Sequence, residues 1–403
     1  MEIFVARQPI FDDWETVFAY ELLFRDGLEN AFPGINGDIA TSNVLSSTFF
    51  SFEFMEILRN KPGFINFTRD LIFQETALLF PRQHLVIEIL EDIEPSAQIV
   101  AALARIKEKG YQIALDDFSF HERFQSMMGL SDIIKLDFKA NTKEAISRMV
   151  DQIRRTHDIP LLAEKIETHE DYEAARQMGF EFFQGFFFSR PKMLSKKDIS
   201  LNQMTKLKLI SELQHEDLNI RKVETLIKND LSISFKLLKF LNSAYFKRPN
   251  PINTIKEGIT YLGVDELKKF LSVVTVSDLN RDKPNELIRR SVVRAMMCEK
   301  LGTIIRTEFT QDELFTLGLF SFMDALLDHK MEDILKVVGF SQNMKDSLLG
   351  KVKSFNTIIK LISCFERGDW GKSIFKAISG KAIEAKLPGF YFDSIKMANN
   401  VFQ

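Results

Sequence analysis

Acidic and polar side chains stand at the ends of short apolar runs in the first half of the chain. They are Glu21, Asn66, Glu88, Asp116 with Asp117, Lys135, Glu164 with Glu167, and Gln184. An unpaired charge buried in an apolar strand costs several kcal/mol, so single carboxylates in such strands need a reason. Because successive strands contribute them, we expect these groups to share one site. Several carboxylates and an amide beside a lysine are suited to holding hard divalent cations.

Each motif taken alone also has a plainer interpretation. On a strand, Glu21 and Arg25 point to the same face, which suits a metal beside a phosphate but equally suits a cross-strand ion pair. The adjacent acids Asp116 and Asp117 repel each other unless a cation or a lysine neutralises them. An Asx turn or a helix N-cap would use the same doublet.

The later motifs leave similar alternatives open. Lys135 and Asp137 share a strand face, which predicts either an internal salt bridge or a lysine that polarises a water. Glu88 would be solvated if its strand ends there, and Glu164 would be solvated in a loop. The two amides, taken singly, are ordinary capping or turn residues.

The elements that must position these side chains alternate between strand-like and helix-like segments over residues 1–190. The predicted strands are Ile3–Arg7, Val17–Phe24, Gly63–Phe67, Leu85–Leu90, Gln112–Leu115, Ile133–Leu136, Leu161–Glu164 and Phe180–Phe183. Helical patterns such as Ala97–Lys109 and Asp171–Met178 lie between them, each followed by a glycine. Nearly all-apolar strands indicate parallel strands buried on both faces. About eight strands in this length predict an α/β barrel of the TIM type, whose chemistry lies where strands run into the following loops.

The character of the sequence changes near residue 190. Ser189–Pro191 ends the alternation, and almost only helical periodicity follows from about Leu201. The spacing of Leu237, Leu241 and Tyr245, for example, defines one face of a helix. We therefore predict a barrel domain over residues 1–195 and an all-helical domain over residues 196–403.

Composition restricts the class of protein. The chain has 403 residues, 45% of them hydrophobic and 27% charged, as in soluble globular proteins with large cores. A net charge of -3 is not typical of broad nucleic-acid binding. Cys298 and Cys364 form no CxxC pair, which favours a reducing cytoplasm and argues against a zinc site. The N-terminus does not resemble a signal peptide, and Leu314–Leu327 is too short for a membrane span and predicts a buried helix. We expect a cytoplasmic protein with no nucleic-acid or membrane partner.

The motifs of the first half, in their order and spacing, resemble the EAL domain, a bacterial family that hydrolyses or binds the second messenger cyclic di-GMP. The resemblance rests on Arg7-Gln8-Pro9-Ile10, Glu21-Leu22-Leu23 with Arg25, Phe64-Ile65-Asn66, Glu88-Ile89-Leu90-Glu91, Asp116-Asp117-Phe118, Ile134-Lys135-Leu136-Asp137, Ala163-Glu164-Lys165-Ile166-Glu167 and Gln184-Gly185-Phe186. It covers residues 4–191 and implies a TIM-like barrel.

The second half resembles the HDOD domain, a helical relative of the HD hydrolases, over residues 230–244 and 255–263. HD enzymes need a His-Asp doublet for metal, whereas the stretch Gly318–Asp324, where it would be expected, has none. The doublet His157-Asp158 belongs to the first half and is predicted to lie in a loop. The resemblance therefore implies a noncatalytic regulatory or partner-binding module. Together the two halves resemble the YuxH-like group of EAL–HDOD proteins.

The EAL resemblance also implies roles for individual residues. One or two Mg²⁺ or Mn²⁺ ions would be bound by Glu21, Asn66, Glu88, Asp116 and Asp117. Lys135 would orient or polarise the attacking water, with Glu164 assisting in metal binding or proton transfer. The substrate would meet Gln8, Arg25 and Gln184, and the supporting residues would be Glu91, Asp137 and Glu167. The implied product is linear pGpG.

Two departures from the family pattern keep more than one function open. The loop Phe118–Phe124, which Glu91 would tether, is bulky and has no glycine, and Lys165 replaces a glycine. A metal-dependent cyclic di-GMP phosphodiesterase is favoured by the complete ligand set. A cyclic di-GMP receptor or protein scaffold without turnover is favoured by the altered loop. An unrelated barrel metalloenzyme acting on another phosphoester is disfavoured by the ordered motifs, and homodimerisation is also open.

Overall fold

The computed structural model describes residues 4–25, 57–116, 125–189, 231–242, 252–277, 284–369 and 381–401, with a few isolated residues between them. The chain divides into two compact units. Met1–Phe188 and Cys364–Lys376 form the first unit, and Ser189–Ser363 and Ala377–Gln403 form the second. Nothing in the sequence pattern predicts the return of residues 364–376 to the first unit.

Eight strands close into a barrel in the order of the chain. They are β1 Phe4–Asp12, β2 Val17–Arg25, β3 Gly63–Phe67, β4 Leu85–Ile89, β5 Gln112–Leu115, β6 Ile133–Asp137, β7 Leu161–Ile166 and β8 Phe182–Gly185. From β3 to β8, each strand runs parallel to the one before it. This confirms the predicted α/β barrel.

Strand β1 is the exception, because it runs antiparallel to both β2 and β8. The prediction that all strands are parallel is wrong here, and the predicted end of this strand at Arg7 is five residues too early. The turn between β1 and β2 is too short for a parallel crossover, which needs about a dozen residues or more. Its geometry is fixed by Asp12, whose carboxylate accepts hydrogen bonds from the backbone N–H groups of Trp14 and Thr16, both at 2.9 Å.

The helices of the first unit follow the strands that they connect. They are α1 Arg69–Phe73, α2 Ala97–Glu108, α3 Gln125–Met128, α4 Lys143–Thr156 and α5 His169–Gln177. Ser96, Thr142 and Thr168 cap the N-termini of α2, α4 and α5 by accepting a backbone N–H three residues on. Gly110 and Gly179 follow α2 and α5 with φ of 87° and 83°, which confirms their predicted role as C-terminal stops.

An apolar layer fills the interior of the barrel. Its buried members are Ile10, Ala19, Phe64, Val86, Ala114, Ile133 and Leu162. Each comes from a different strand, so the barrel has a packed core rather than a pore.

The second unit is helical throughout its described part. Its helices are α6 Leu231–Leu241, α7 Ile255–Ser277, α8 Asn285–Leu301, α9 Gln311–Phe320, α10 Met323–Leu327, α11 Met331–Val337, α12 Gln342–Leu348, α13 Lys353–Glu366 and α14 Lys381–Val401; the last turn of α13, from Cys364, belongs to the first unit. Helix α7 is broken at Gly263, which has φ of 75°. The stretch predicted as one buried helix over 314–327 is instead α9 and α10, and Tyr245 lies outside the described residues. Among the described helices, none combines the length and the apolar character needed to cross a membrane.

Candidate functional site

A polar layer lies next to the apolar layer inside the barrel. Side chains two residues apart on a strand share a face, so each residue two positions further along β2 to β8 also points inward. Those residues are Glu21, Asn66, Glu88, Asp116, Lys135, Glu164 and Gln184, which follow Ala19, Phe64, Val86, Ala114, Ile133, Leu162 and Phe182. All the polar residues except Asp116 are less than a tenth exposed. The fold therefore brings seven of the predicted side chains together in one layer.

Strand register explains which members of the polar layer are neighbours. Gln8 of β1 lies opposite Glu21, and Asn66 lies beside Glu88. Gln184 donates a hydrogen bond from Nε2 to Glu21 Oε2, and the same nitrogen lies 3.2 Å from Gln8 Oε1. These contacts hold the first and last strands of the barrel to a common polar network.

The glycine that follows Gln184 has a steric reason. A Cβ atom at Gly185 would lie 2.0 Å from the carbonyl oxygen of Ile166 on β7. Only glycine allows β7 and β8 to approach so closely at this point. The Gln-Gly pair of the sequence therefore combines a side chain in the polar layer with a backbone that must carry no side chain.

The ammonium of Lys135 is the centre of the polar layer. It lies 2.5 Å from Glu88 Oε1, 2.7 Å from Asp116 Oδ1 and 2.7 Å from Glu164 Oε1. Burial alone would lower the pKa of Lys135, but the surrounding carboxylates raise it well above its usual value. Lys135 is therefore a fixed positive charge, and its ion pairs are with these three acids, whereas Asp137 pairs with Lys165.

The carboxylates of the polar layer outnumber the positive charges that face them. Burial raises the pKa of Glu88 and of Glu164 well above the usual value, and the attraction of Lys135 opposes this only in part. Glu88 Oε2 and Glu164 Oε2 are buried and accept no hydrogen bond among the described residues. Buried carboxylate oxygens without donors, next to an amide, fit a hard divalent cation by chemical type.

The described carboxylates have the right chemical type for a cation, but they are not arranged around one ion position. Within the part of the chain that the structure describes, no three Asp, Glu, His or Cys side chains are arranged around one ion position. Asp117, one of the predicted ligands, lies outside the described residues. The acids instead face the ammonium of Lys135.

Asp137 and Lys165 form a second ion pair at the same end of the barrel. Asp137 Oδ2 lies 2.5 Å from Lys165 Nζ, and Oδ1 accepts the backbone N–H groups of Lys139 at 2.6 Å and Ala140 at 2.9 Å. Burial would raise the pKa of Asp137, but these hydrogen bonds hold it below its usual value. Lys165 has φ of 54°, a left-handed conformation that glycine adopts more readily.

The polar layer opens into a cavity of about 1120 Å³. Its wall includes the predicted residues Gln8, Glu21, Asn66, Asp116, Asp137, Glu164, Glu167 and Gln184. Glu167 is half-buried at the rim, where its carboxylate lies 3.1 Å from Lys139 Nζ. A cavity of this size suits a small-molecule ligand.

Three predicted site features stay predictions. The side chain of Arg25 and the loop 117–124 lie outside the described residues. Glu91 is exposed two residues after β4, and the loop that it would tether lies outside the described residues.

The sequence analysis missed other residues of the cavity wall. Lys139 could have been predicted from the sequence, since it continues the alternation of Lys135 and Asp137. Arg367 lies about 180 residues beyond β8 in the sequence, and no local pattern points to it.

Comparison with known protein families supports the division into two kinds of domain. The family model described as EAL domain matches residues 46–191, and the model described as HDOD domain matches residues 201–343. The EAL match begins after β2, so Gln8 and Glu21 lie outside the matched range although they belong to the same polar network.

Two curated relatives match nearly the whole chain. One is the uncharacterized protein YuxH of Bacillus subtilis, 35% identical over 379 residues that cover 92% of each chain. The other is the cyclic di-GMP phosphodiesterase CdgJ of Vibrio cholerae, 31% identical over 369 residues that cover 91% of this chain and 85% of CdgJ. A crystal structure of the B. subtilis YkuI protein, with an EAL domain, in complex with c-di-GMP and calcium also aligns, over 66% of this chain and 73% of that one, with 20% identity and a TM-score of 0.36.

Proposed function

This chain belongs to the family of proteins that join an EAL domain to an HDOD domain, and from that premise we propose that its barrel is a cyclic di-GMP phosphodiesterase. Hydrolysis adds water across one phosphodiester, breaking the bond from phosphorus to the 3′ oxygen and giving linear pGpG. The similarity to CdgJ over most of both chains supports this substrate.

The arrangement around Lys135 is the observation that carries the proposal. A buried ammonium lies within 2.7 Å of carboxylates on β4, on β7 and directly after β5, at the end of the barrel where the cavity opens. Such a cluster is costly to bury and adds little to stability compared with apolar packing, so a functional reason for it is expected.

We propose that Glu21, Asn66, Glu88, Asp116 and Asp117 hold one or two Mg²⁺ or Mn²⁺ ions. Glu88 Oε2 is buried and accepts no hydrogen bond among the described residues, and the pKa of Glu88 is raised. Both observations indicate that the polar layer contains too little positive charge for its acids. A bound divalent cation would supply electrostatic stabilisation of the phosphodiester and make a water more acidic.

The remaining residues of the layer have complementary roles. Lys135 keeps its proton and can donate a hydrogen bond to a water or to a phosphate oxygen, because its pKa is raised. Glu164, whose pKa is also raised, can hold or release a proton beside it. Gln184 orients the carboxylate of Glu21 through their hydrogen bond, and Gln8 faces the cavity, where it can contact the nucleotide.

The test is a metal-dependent assay for pGpG. Purified protein is incubated with cyclic di-GMP and Mg²⁺ or Mn²⁺, beside Glu21→Ala and beside Asp158→Asn, a control at a fully exposed acid that does not line the cavity. Product from the wild type and from Asp158→Asn, with at least about a hundredfold less from Glu21→Ala, supports the proposal. Equal product from wild type and Glu21→Ala contradicts it.

A second function, a cyclic di-GMP receptor or scaffold without turnover, is favoured by one observation. Lys165 stands where the family pattern has glycine, and its ammonium contacts Asp137 at the cavity wall. Calorimetry separates the two functions, because the receptor binds cyclic di-GMP but releases no pGpG. A chain that neither binds nor hydrolyses the nucleotide would retain only a role in protein interaction.

For the helical unit we infer a role in binding a protein partner or a second copy of this chain. The helices that the structure describes over residues 311–327 carry no histidine, so this stretch supplies no His-Asp doublet for metal. Light scattering of the full chain tests the homodimer, and a mass of one chain at micromolar concentration contradicts it.

A further inference from the structure

A short segment from the far end of the sequence contributes to the wall of the candidate active site. Residues 364–376 belong to the same compact unit as the barrel, and Arg367 and Asp369 line the cavity together with Glu21 and Gln184. The EAL motifs do not include this segment, because the family match ends at residue 191.

The segment has a defined backbone. After helix α13, the N–H of Gly368 donates to the carbonyl of Phe365 at 3.1 Å, and the N–H of Asp369 donates to the carbonyl of Cys364 at 2.9 Å. With φ of 70° at Gly368, these two bonds form a Schellman motif that ends the helix. Arg367, the residue before the glycine, is therefore held at a fixed place.

Contacts with the barrel strands anchor the same segment. A Cβ at Gly368 would lie only 2.8 Å from Leu23 Cδ1, so the backbone of the segment packs directly on β2. Gln8 of β1 donates a long hydrogen bond of 3.5 Å to the carbonyl of Glu366. The guanidinium carbon of Arg367 lies 4.8 Å from the centre of the Phe186 ring, directly after β8.

The charge of Arg367 differs from that of most ionisable residues on the cavity wall. The cavity wall carries more acids than bases, and two of its lysines are already paired, Lys139 with Glu167 and Lys165 with Asp137. Arg367 is exposed; its guanidinium lies over the Phe186 ring and forms no ion pair with a carboxylate of the described residues. A dianionic ligand that approaches this acidic cavity needs a cation outside the carboxylate cluster, and a planar guanidinium matches a phosphate in two hydrogen bonds.

We propose that Arg367 binds a phosphate of cyclic di-GMP, with Phe186 holding the guanidinium in place. This inference rests on the proposed ligand but not on turnover, since binding and hydrolysis are separate measurements. It makes a residue outside the EAL sequence match part of the ligand site.

The test is a calorimetric titration of the full chain with cyclic di-GMP in the presence of Ca²⁺, with chromatography showing that the ligand stays intact. Wild type is compared with Arg367→Ala, with Arg367→Lys and with Arg155→Ala, an exposed arginine on α4 that does not line the cavity. Loss of one charge-assisted contact should raise the Kd of Arg367→Ala about tenfold. Arg367→Lys should recover part of the loss, because it keeps the charge without the planar fork, and Arg155→Ala should bind like the wild type.

Salt concentration identifies the group that is recognised. If Arg367 binds a phosphate at the exposed rim, the tenfold loss should shrink to about twofold between about 50 and 500 mM salt. A loss that does not depend on salt overturns the phosphate assignment in favour of contact with the guanine base. Wild-type affinity in Arg367→Ala overturns the role of Arg367 while leaving the proposed function intact, and absence of binding by the wild type overturns both.

Discussion

The ammonium of Lys135 and the carboxylate of Glu88 are 2.5 Å apart, and neither side chain is reached by solvent. The two residues come from β6 and β4, which are not neighbours in the barrel, so the pair crosses its interior. Each partner gives the other the electrostatic stabilisation that water gives to an exposed charge. Removing one partner should therefore be costly.

We expect Lys135→Met to lower the free energy of unfolding of the barrel by about 3 kcal/mol at neutral pH. The substitution leaves the acids that surround Lys135 without their common partner. Chemical denaturation measures the change, with Lys139→Met as a control because Lys139 is mostly exposed and its ion pair with Glu167 lies at the rim.

The loss in Lys135→Met should depend on pH. In the folded state the pKa of Glu88 and of Glu164 is already raised, so their protonated forms are favoured by folding. Their contribution to stability is present in acid and is lost as the pH rises through the folded pKa. Without Lys135 this loss should be larger, so the gap between wild type and variant should widen from pH 5 to pH 8. A gap that is constant over this range would contradict the role assigned to Lys135.

Addition of Mg²⁺ or Mn²⁺ should stabilise the barrel. A cation at a hundred times its Kd adds about 2.7 kcal/mol to the folded state, which raises the thermal midpoint by several degrees. Because binding must displace protons from acids with a raised pKa, the shift should be larger at pH 8 than at pH 6. Differential scanning fluorimetry measures it, and Asp158→Asn should behave like the wild type whereas Asp116→Asn should lose most of the shift.

The positions of most site residues could be predicted from the bounds of the strands and the alternation of side chains along each strand. The bounds of β3 and β5 agree with the prediction to the residue, and the period of two on each strand places Asn66 and Asp116 in one layer. Chain order then determines which strands are adjacent in a barrel.

Other features depend on tertiary contacts that no local pattern contains. The direction of β1 is not encoded in its apolar content, although the short turn at Asp12 favours a hairpin. Lys135 pairs with acids on β4, on β7 and directly after β5, all distant in sequence, whereas its near neighbour Asp137 pairs with Lys165. The contribution of Arg367 requires the chain to return to the barrel after the helical half, which periodicity cannot show.

Lys165→Met should reveal how strongly Lys165 acts on Asp137. Hydrogen bonds hold the pKa of Asp137 below its usual value despite burial, and the bond from Lys165 contributes the most among them. An acid with a lowered folded pKa stabilises the fold above its unfolded pKa and loses that contribution as the pH falls through the folded pKa. Loss of Lys165 should therefore reduce stability at pH 7 by up to about 1 kcal/mol, with the difference vanishing in acid. Denaturation curves of both proteins between pH 3 and pH 7 measure this, and a difference that grows as the pH falls would contradict it.

Gly368→Ala should damage both the helix end and the ligand site. Gly368 has φ of 70°, a conformation that costs a residue with a Cβ about 1–2 kcal/mol, and the new methyl group would meet Leu23 Cδ1 at 2.8 Å. The new methyl group and the side chain of Leu23 must move apart, and the left-handed turn that positions Arg367 becomes strained. The Kd for cyclic di-GMP should therefore rise, by at most about as much as in Arg367→Ala. Gly389→Ala is the matched control, because Gly389 lies within α14 with no atom near its added Cβ, and there alanine should stabilise the helix by up to about 1 kcal/mol. Calorimetry and denaturation on the same preparations separate the two effects. Unchanged affinity in a destabilised Gly368→Ala would mean that the position of Arg367 does not depend on this turn.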